Sequence, residues 1–322
     1  MDLITQGILG AAVGQVGFQH NLGRKALIYG ALIGMLPDAD VLVRFSSDIC
    51  AEMLHHRGIT HSLFFAPVVA PIMGWICNKL YKQQLLATWI GLWFWALITH
   101  PLLDVFTVYG TQLLAPFSNH RFSFCAIHIV DLFYSIPLLL SVITGFFIKK
   151  NLRFSQILAA IMLLLTSCYL FTGIISRDKH IAYVRSLKKF SNCRRVEAFP
   201  VSAFCYKIIV EEDQKIHIAF WGTATGSSTG LFWETFEKVY VPIDIINKRE
   251  VEIFYWFTDG WVLPAREGNS MILRDIRFGG QKDILGYWGL EIASDNVSWK
   301  RFTPDINIKN IKKAVSKIFN TD

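Results

Sequence analysis

Long apolar stretches separated by short polar turns fill the first 176 residues of the chain. Six of these stretches predict helices, and each is taken as one membrane crossing: Ile4–Phe18, Ala26–Leu36, Leu63–Cys77, Leu85–Leu103, Ile127–Ile148 and Ser155–Ser176. A helix needs about 20 apolar residues to cross a bilayer, so the first stretch is short enough to be re-entrant. The pattern predicts an α-helical integral membrane domain of about five to six apolar helices.

After residue 176 the pattern changes to short β-branched and aromatic runs between polar or glycine turns, which is typical of strands. The runs occupy Val196–Glu211, Ile216–Trp221, Val251–Phe257, Ser270–Phe278 and Tyr287–Ile292. Asp305–Phe319 has apolar residues at helical spacing and predicts a C-terminal amphipathic helix. We therefore expect two domains: a transmembrane domain over residues 1–176 that carries a metal site, and a small extramembrane β-rich domain over residues 177–322.

Composition agrees with a membrane protein. The chain has 322 residues, is 52% hydrophobic and carries a formal net charge of +7. A basic excess suits an anionic membrane surface, and no nucleic-acid-binding motif accompanies it. The lipid bilayer is the expected partner, and no nucleic acid is expected.

The basic residues of the turns predict an orientation. Arg24, Lys79 and Lys149 lie in turns that fall on one side when each apolar stretch crosses once, and the positive-inside rule makes that side cytoplasmic. The loop 38–61 and the connection 104–128 then lie on the opposite, periplasmic face. The C-terminal domain follows on that face, although the basic residues from 177 to 195 oppose this placement; long domains can cross regardless of charge.

Histidine and carboxylate side chains concentrate at the predicted outer face. Ionisable groups in or beside apolar membrane segments are costly and default to a functional interpretation, and imidazole and carboxylate are zinc ligands. We expect one or more divalent metal ions, zinc or alternatively manganese, on the following residues: Asp38, Asp40, His56, His61, His100, Asp104 and Asp131. His55 and His128 are close enough in sequence to join them.

Each group also has a simpler structural interpretation. Asp38 and Asp40 follow Pro37 and can terminate a helix, and Asp131 can stabilise a helix N-terminus. The i,i+4 spacing places His100 and Asp104 on one helix face, where they can form a buried hydrogen-bonded pair. Arg57 can orient an anionic substrate group, which makes it the candidate catalytic residue, or contact lipid headgroups.

Five motifs resemble those of the bacterial membrane-bound metal-dependent hydrolases called the YdjM-like family. They are Met1-Asp2-Leu3-Ile4-Thr5-Gln6, Pro37-Asp38-Ala39-Asp40, His56-Arg57-Gly58-Ile59-Thr60-His61-Ser62, His100-Pro101-Leu102-Leu103-Asp104 and Arg121-Phe122-Ser123 leading to Asp131. Family members often have Thr-His where this chain has Thr5-Gln6. The resemblance implies a bacterial inner-membrane hydrolase with an unidentified substrate. His100 and Asp104 also resemble the zinc-dependent phospholipase C and P1 nuclease pattern, which implies phosphoester chemistry.

Three functions follow as hypotheses. The leading one is a membrane-bound hydrolase in which a metal activates water against an ester or phosphoester, with a lipid or lipid-linked substrate. The alternative is a non-enzymatic scaffold or sensor that binds a partner through the β-rich domain. A metal transporter is disfavoured, because the polar groups gather at one face instead of extending through the membrane.

Overall fold

The computed structural model describes residues 1–45, 48–81, 85–148, 151–222, 231–278, 287–293 and 296–302. Helices dominate the described residues before 187: α1 (Leu3–Leu22), α2 (Lys25–Met35), α3 (Ile49–His55), α4 (Phe65–Leu80), α5 (Leu86–Asp104), α6 (Leu132–Phe147) and α7 (Leu152–Ser186). Short 3₁₀ segments occupy Leu36–Phe45, Ile59–His61 and Lys188–Phe190.

Helices α1 and α2 pack backbone against backbone. A Cβ atom built on Gly10 would lie 2.2 Å from the Gly30 carbonyl oxygen, and one on Gly30 would lie 2.2 Å from the Gly10 oxygen. Only glycine permits this approach, as in small-residue helix contacts of membrane proteins. The contact places the start of α1, which carries Gln6, beside the end of α2, where Gly34 lies.

Helix α4 packs against α5 through a strip of small residues. Ala66, Ala70 and Gly74 are buried at i,i+4 spacing, and a Cβ on Gly74 would meet the backbone of Ile90 at 2.8 Å. This packing holds α5, whose last turn carries His100 and Asp104.

The expectation of five to six membrane-spanning helices is corrected by the structure. Among the described residues, α5 and α7 are long and apolar enough to cross a membrane, and the bent pair 49–61 and 65–80 makes a third if counted as one span. Helices α2, α4 and α6 have 11, 16 and 16 residues, fewer than the roughly 20 that a crossing needs. Helix α1 has the length but buries Gln6, Gln15 and Gln19, so it is less apolar.

Eight described strands form two antiparallel sheets of four. The first sheet contains β1 (Arg195–Ser202), β2 (Cys205–Glu211), β3 (Lys215–Gly222) and β4 (Glu234–Glu237), and the second contains β5 (Val262–Glu267), β6 (Ser270–Asp275), β7 (Tyr287–Ala293) and β8 (Asn296–Phe302), each in chain order. Two helices lie between them in sequence, α8 (Ile243–Ile246) and α9 (Arg249–Phe257). The predicted β-rich character is confirmed, and the single run predicted over 196–211 is the β1–β2 hairpin.

The predicted strand Val251–Phe257 is wrong, because these residues form most of α9. Val251, Phe254 and Phe257 are buried at i,i+3 spacing, which suits a helix face, and Val251 and Phe254 pack in one apolar cluster with Leu290. Tertiary packing thus overrides the local strand preference.

The chain forms two compact units: residues 1–47 with 55–175, and residues 48–54 with 176–322 as far as they are described. The membrane and extramembrane roles of residues 1–176 and 177–322 stay predictions. The predicted C-terminal helix Asp305–Phe319 lies outside the described residues.

Candidate metal centre

Three segments bring the site together. The 3₁₀ segment after α2 carries Asp38, the 3₁₀ turn Ile59–His61 carries His61, and the last turn of α5 carries His100 and Asp104. The i,i+4 spacing places His100 and Asp104 on one face of α5. All four residues lie in the first compact unit.

The donor atoms of these four residues converge. One ligand atom from each of Asp38, His61, His100 and Asp104 lies within 4.8 Å of all the others. His61 Nε2 is 3.4 Å from Asp38 Oδ1 and 3.5 Å from Asp104 Oδ2, and His100 Nε2 is 3.5 Å and 3.7 Å from the same two oxygens. The two Nε2 atoms are 3.0 Å apart.

These separations match the edges of a small coordination tetrahedron. Zinc binds imidazole nitrogen and carboxylate oxygen at about 2.0–2.1 Å, so neighbouring ligands of a regular tetrahedron lie about 3.3–3.4 Å apart. Five of the six edges lie between 3.0 and 3.7 Å and scatter around that value, and the sixth, between Asp38 and Asp104, is within 4.8 Å. The residues present therefore fit a divalent metal of the size of zinc.

Hydrogen bonds orient both imidazoles for ligation. His100 Nδ1 donates to the Gly34 carbonyl oxygen at 2.6 Å, because a carbonyl only accepts. Thr60 Oγ1 donates its single proton to Asp40 Oδ2 at 2.9 Å, so it accepts from His61 Nδ1 at 3.0 Å. When the rings are neutral, each therefore directs an Nε2 lone pair into the centre, as metal-binding histidines do when a second partner fixes the tautomer.

This arrangement requires a positive charge at the centre. Two nitrogen lone pairs and two carboxylate oxygens converge there, and all of them are acceptors. A metal cation satisfies the four atoms together. A proton shared between the two Nε2 atoms satisfies that pair, and metal content distinguishes the two cases.

Asp104 is fully buried and is held mainly through one oxygen. Its Oδ1 accepts from Gln6 Nε2 at 2.9 Å and from the Met1 amino group. Its Oδ2, which faces the histidines, makes no hydrogen bond among the described residues. A buried carboxylate oxygen without a hydrogen bond is costly, and a metal ligand bond would offset that cost.

Arg57 lies behind Asp104 and is itself buried. Its Nε is 3.3 Å from Asp104 Oδ2, its Nη1 donates to Thr107 Oγ1 at 3.0 Å, and its guanidinium lies 5.4 Å from the centre of the Tyr109 ring. The backbone of Arg57 has φ of 60°, a region that non-glycine residues seldom adopt and that often marks functional sites. Its amide donates to Asp40 Oδ2 at 3.1 Å.

Asp38 and Asp40 are ionised beside the histidines. Without a metal, burial raises the pKa of Asp38, but hydrogen bonds from His100 and His61 outweigh it when those rings carry a proton on Nε2, and they hold that pKa below its usual range. For Asp40, burial likewise raises the pKa, and hydrogen bonding with His56 and His61 lowers it further than burial raises it. Both carboxylates therefore carry charge at neutral pH and attract a cation.

The structure places the remaining predicted residues outside the four-donor group. Asp40 supports His61, and its Oδ1 pairs with His56 Nδ1 at 2.9 Å. Asp131 caps α6 by accepting from the Phe133 and Tyr134 amides, and the Tyr169 hydroxyl donates to it at 2.8 Å. The macrodipole of α6 favours this charge, and the expected role of Asp131 as a metal ligand stays a prediction.

His55 and His128, left open by the sequence, are also outside the four-donor group found among the described residues. Sequence reasoning missed the roles of Thr60, Gln6 and the Gly34 carbonyl. Thr60 precedes His61 directly, and a hydroxyl next to a candidate ligand is a usable signal. A backbone carbonyl such as that of Gly34 gives no such signal.

Comparison with known proteins places the site in a family context. The family model described as YdjM inner membrane protein matches residues 1–179, which include all four donors. The chain is 37% identical to the inner membrane protein YbcI of Escherichia coli (strain K12) over 100 residues, which are 30% of this chain and 57% of YbcI. It is 28% identical to the uncharacterized protein YfhP of Bacillus subtilis (strain 168) over 149 residues, which are 42% of this chain and 43% of YfhP.

The chain spans about half the length of the curated relatives it matches. No solved structure matches it. The name of the relative YbcI and the apolar helices α5 and α7 support an inner-membrane location.

Proposed function

The chain belongs to the YdjM family of inner membrane proteins, and we propose that it is a metal-dependent hydrolase that cleaves an ester or phosphoester bond at the periplasmic face. One observation carries the proposal: four acceptor atoms from Asp38, His61, His100 and Asp104 converge at tetrahedral spacing. A divalent metal held there, zinc or manganese, would supply Lewis acidity and lower the pKa of water.

The protein's own groups then have distinct roles. His61 and His100 would hold the metal through Nε2, and Thr60 and the Gly34 carbonyl fix the orientation of their rings. Arg57 is a positioning residue for Asp104, because its guanidinium is buried against that carboxylate. Direct contact between Arg57 and an anionic substrate group, the role expected from the sequence, stays a prediction.

Asp38 is the ligand best placed to make room for substrate. Its side chain is 14% exposed, whereas those of His61, His100 and Asp104 are 0% exposed. Catalytic zinc sites keep three protein ligands and one open position. We assign His61, His100 and Asp104 as the permanent ligands and Asp38 as the exchangeable one.

The same four side-chain donors also fit a second function, that of a scaffold or sensor. Four side-chain donors fill a tetrahedral shell, which is typical of structural zinc. In that case the metal holds together the segment after α2, the 59–61 turn and the end of α5, and the β-rich domain binds a partner.

A hydrolysis assay separates the two functions. Detergent-purified protein, loaded with zinc or manganese, is incubated with nitrophenyl esters and with nitrophenyl phosphomonoesters and phosphodiesters. The hydrolase proposal predicts nitrophenol release that chelation and the variant His100→Ala both abolish. Stoichiometric metal without release from any of these substrates would favour the scaffold.

A further inference from the structure

Four exposed apolar side chains lie in or next to the His61 turn and in the connection that is hydrogen-bonded to it. Ile59 begins the turn, Phe64 follows it, and Leu114 and Phe117 lie in the connection between α5 and α6; all four are exposed, and Phe117 is 81% exposed. Contiguous exposed apolar residues of this kind mark a contact surface in soluble proteins. We call these four residues the apolar rim.

The two halves of the apolar rim are joined by hydrogen bonds. The Leu63 amide donates to the Leu113 carbonyl at 3.0 Å, and the Ser62 hydroxyl donates to the Ala115 carbonyl at 2.5 Å. The Phe64 and Phe117 rings meet edge to face with centroids 5.2 Å apart. Phe64 and Phe117 therefore form one surface, and the rim adjoins His61 along the chain.

The apolar rim continues the exposed face of α4. Phe64, Val68, Ile72 and Trp75 are all exposed and fall on one side of that helix. Because α4 belongs to a bent pair apolar enough to form a membrane span, this face is suited to lipid. Phe117 packs on Phe64 at its end and extends it onto the connection.

The connection forms several of its own backbone hydrogen bonds near the rim. Backbone groups exposed to hydrocarbon must be hydrogen-bonded. Near the rim, the Ala115 amide donates to Gln112 O at 3.2 Å and the Phe117 amide donates to Leu114 O at 2.9 Å. Thr111 and Phe122 exchange two backbone hydrogen bonds of 2.9 Å, so this irregular segment satisfies part of its own backbone.

We propose that the apolar rim contacts bilayer hydrocarbon, so that substrate reaches Asp38 from the lipid with an apolar chain lying on the rim. The occupant is lipid, not a second copy of the chain, because the rim is continuous with the exposed face of a candidate membrane span. The statement about substrate rests on the proposed hydrolase function. The lipid contact does not depend on metal or activity.

Photocrosslinking in vesicles tests the lipid contact. Full-length protein with p-benzoyl-phenylalanine at position 117 is reconstituted in phosphatidylethanolamine and phosphatidylglycerol, irradiated and weighed by intact mass spectrometry. Placing p-benzoyl-phenylalanine at Val68 gives the lipid-facing control. Placing it at Asp213, in the exposed β2–β3 turn, gives the aqueous control. A Leu114 variant provides an independent position if the Phe117 variant does not fold.

The proposal predicts that protein with the probe at position 117 gains the mass of a phospholipid. The yield should be similar to that at position 68 and at least tenfold above that at position 213. Adducts at 68 but not at 117 or 114 would overturn it. A crosslink from 117 to another copy of the chain would overturn it as well. Failure of the hydrolysis assay alone would leave the lipid contact intact.

Discussion

The Nε2 atoms of His61 and His100 lie 3.0 Å apart, and neither has a proton to give when the rings are neutral. His100 uses its Nδ1 proton on the Gly34 carbonyl and His61 uses its own on Thr60. Two facing lone pairs repel unless a cation lies between them. The pair is therefore the strongest indication of a metal centre.

Thr60 provides a sensitive test, because it fixes the tautomer of His61 without reaching the centre. We predict that Thr60→Val weakens zinc binding roughly 10–100-fold, the usual effect of losing an outer hydrogen-bonding partner. Thr60→Ser keeps the hydroxyl and should restore the affinity. Competition with a chromophoric chelator measures both variants, and wild-type affinity in Thr60→Val would contradict the assigned tautomer.

Asp104 and Asp131 form a matched pair of buried carboxylates with different assigned roles. We predict that Asp104→Asn removes bound metal, because it eliminates the charge that faces both imidazoles. Asp131→Ala should retain the metal and lower stability by about 0.5–2 kcal/mol through the loss of a helix cap. Elemental analysis and thermal unfolding of both variants distinguish the two roles; metal loss in Asp131→Ala would instead confirm it as a ligand.

Asp38 tests whether the centre has an exchangeable position. The hydrolase account predicts that Asp38→Ala still binds metal, more weakly, through His61, His100 and Asp104. The test uses cobalt in place of zinc. Added azide should bind the cobalt at the position that Asp38 vacates and change its visible absorption spectrum. Complete loss of metal in Asp38→Ala, as in Asp104→Asn, would indicate a closed structural site.

Glu211 predicts an acid-sensitive contact in the second compact unit. Burial raises the pKa of its carboxyl, but hydrogen bonds from Lys238 and Arg195 outweigh it and hold the pKa below its ordinary value of 4.5. The folded-state pKa is depressed, so this stabilisation is present above pH 4.5 and is lost as the pH falls through the folded value.

Glu211→Gln should therefore reduce the unfolding temperature at pH 7 and flatten its decline below pH 4.5. Thermal unfolding of the full-length protein across that range measures both effects. If the mutant and wild-type profiles remained parallel, Glu211 would not be the group responsible.

The sequence predicted most of the centre for a physical reason. Ionisable groups are costly beside apolar segments, so Asp38, His61, His100 and Asp104 stood out and the structure brings them together. Asp131 stood out equally, but a carboxylate at a helix start has the same signature whether it binds a metal or caps the helix. Only the three-dimensional position separates these roles.

The fold was less predictable where packing decides. The number of spans was overestimated because each apolar stretch was counted as a crossing, although α2, α4 and α6 are shorter than the roughly 20 residues that a crossing needs. Val251–Phe257 has strand-forming residues yet folds as α9 because its buried face suits a helix. The strand β4 escaped prediction because most of its side chains are exposed and polar.

Metal content tests the central claim most directly. Elemental mass spectrometry is applied to the detergent-purified protein beside the variant His61→Ala/Asp104→Ala, with gel filtration to confirm folding. The account predicts stoichiometric zinc or manganese in the wild type and its loss in the variant. Well-folded wild-type protein that holds no metal even after incubation with zinc and manganese would contradict it, and would leave a shared proton between His61 and His100 as the charge at the centre.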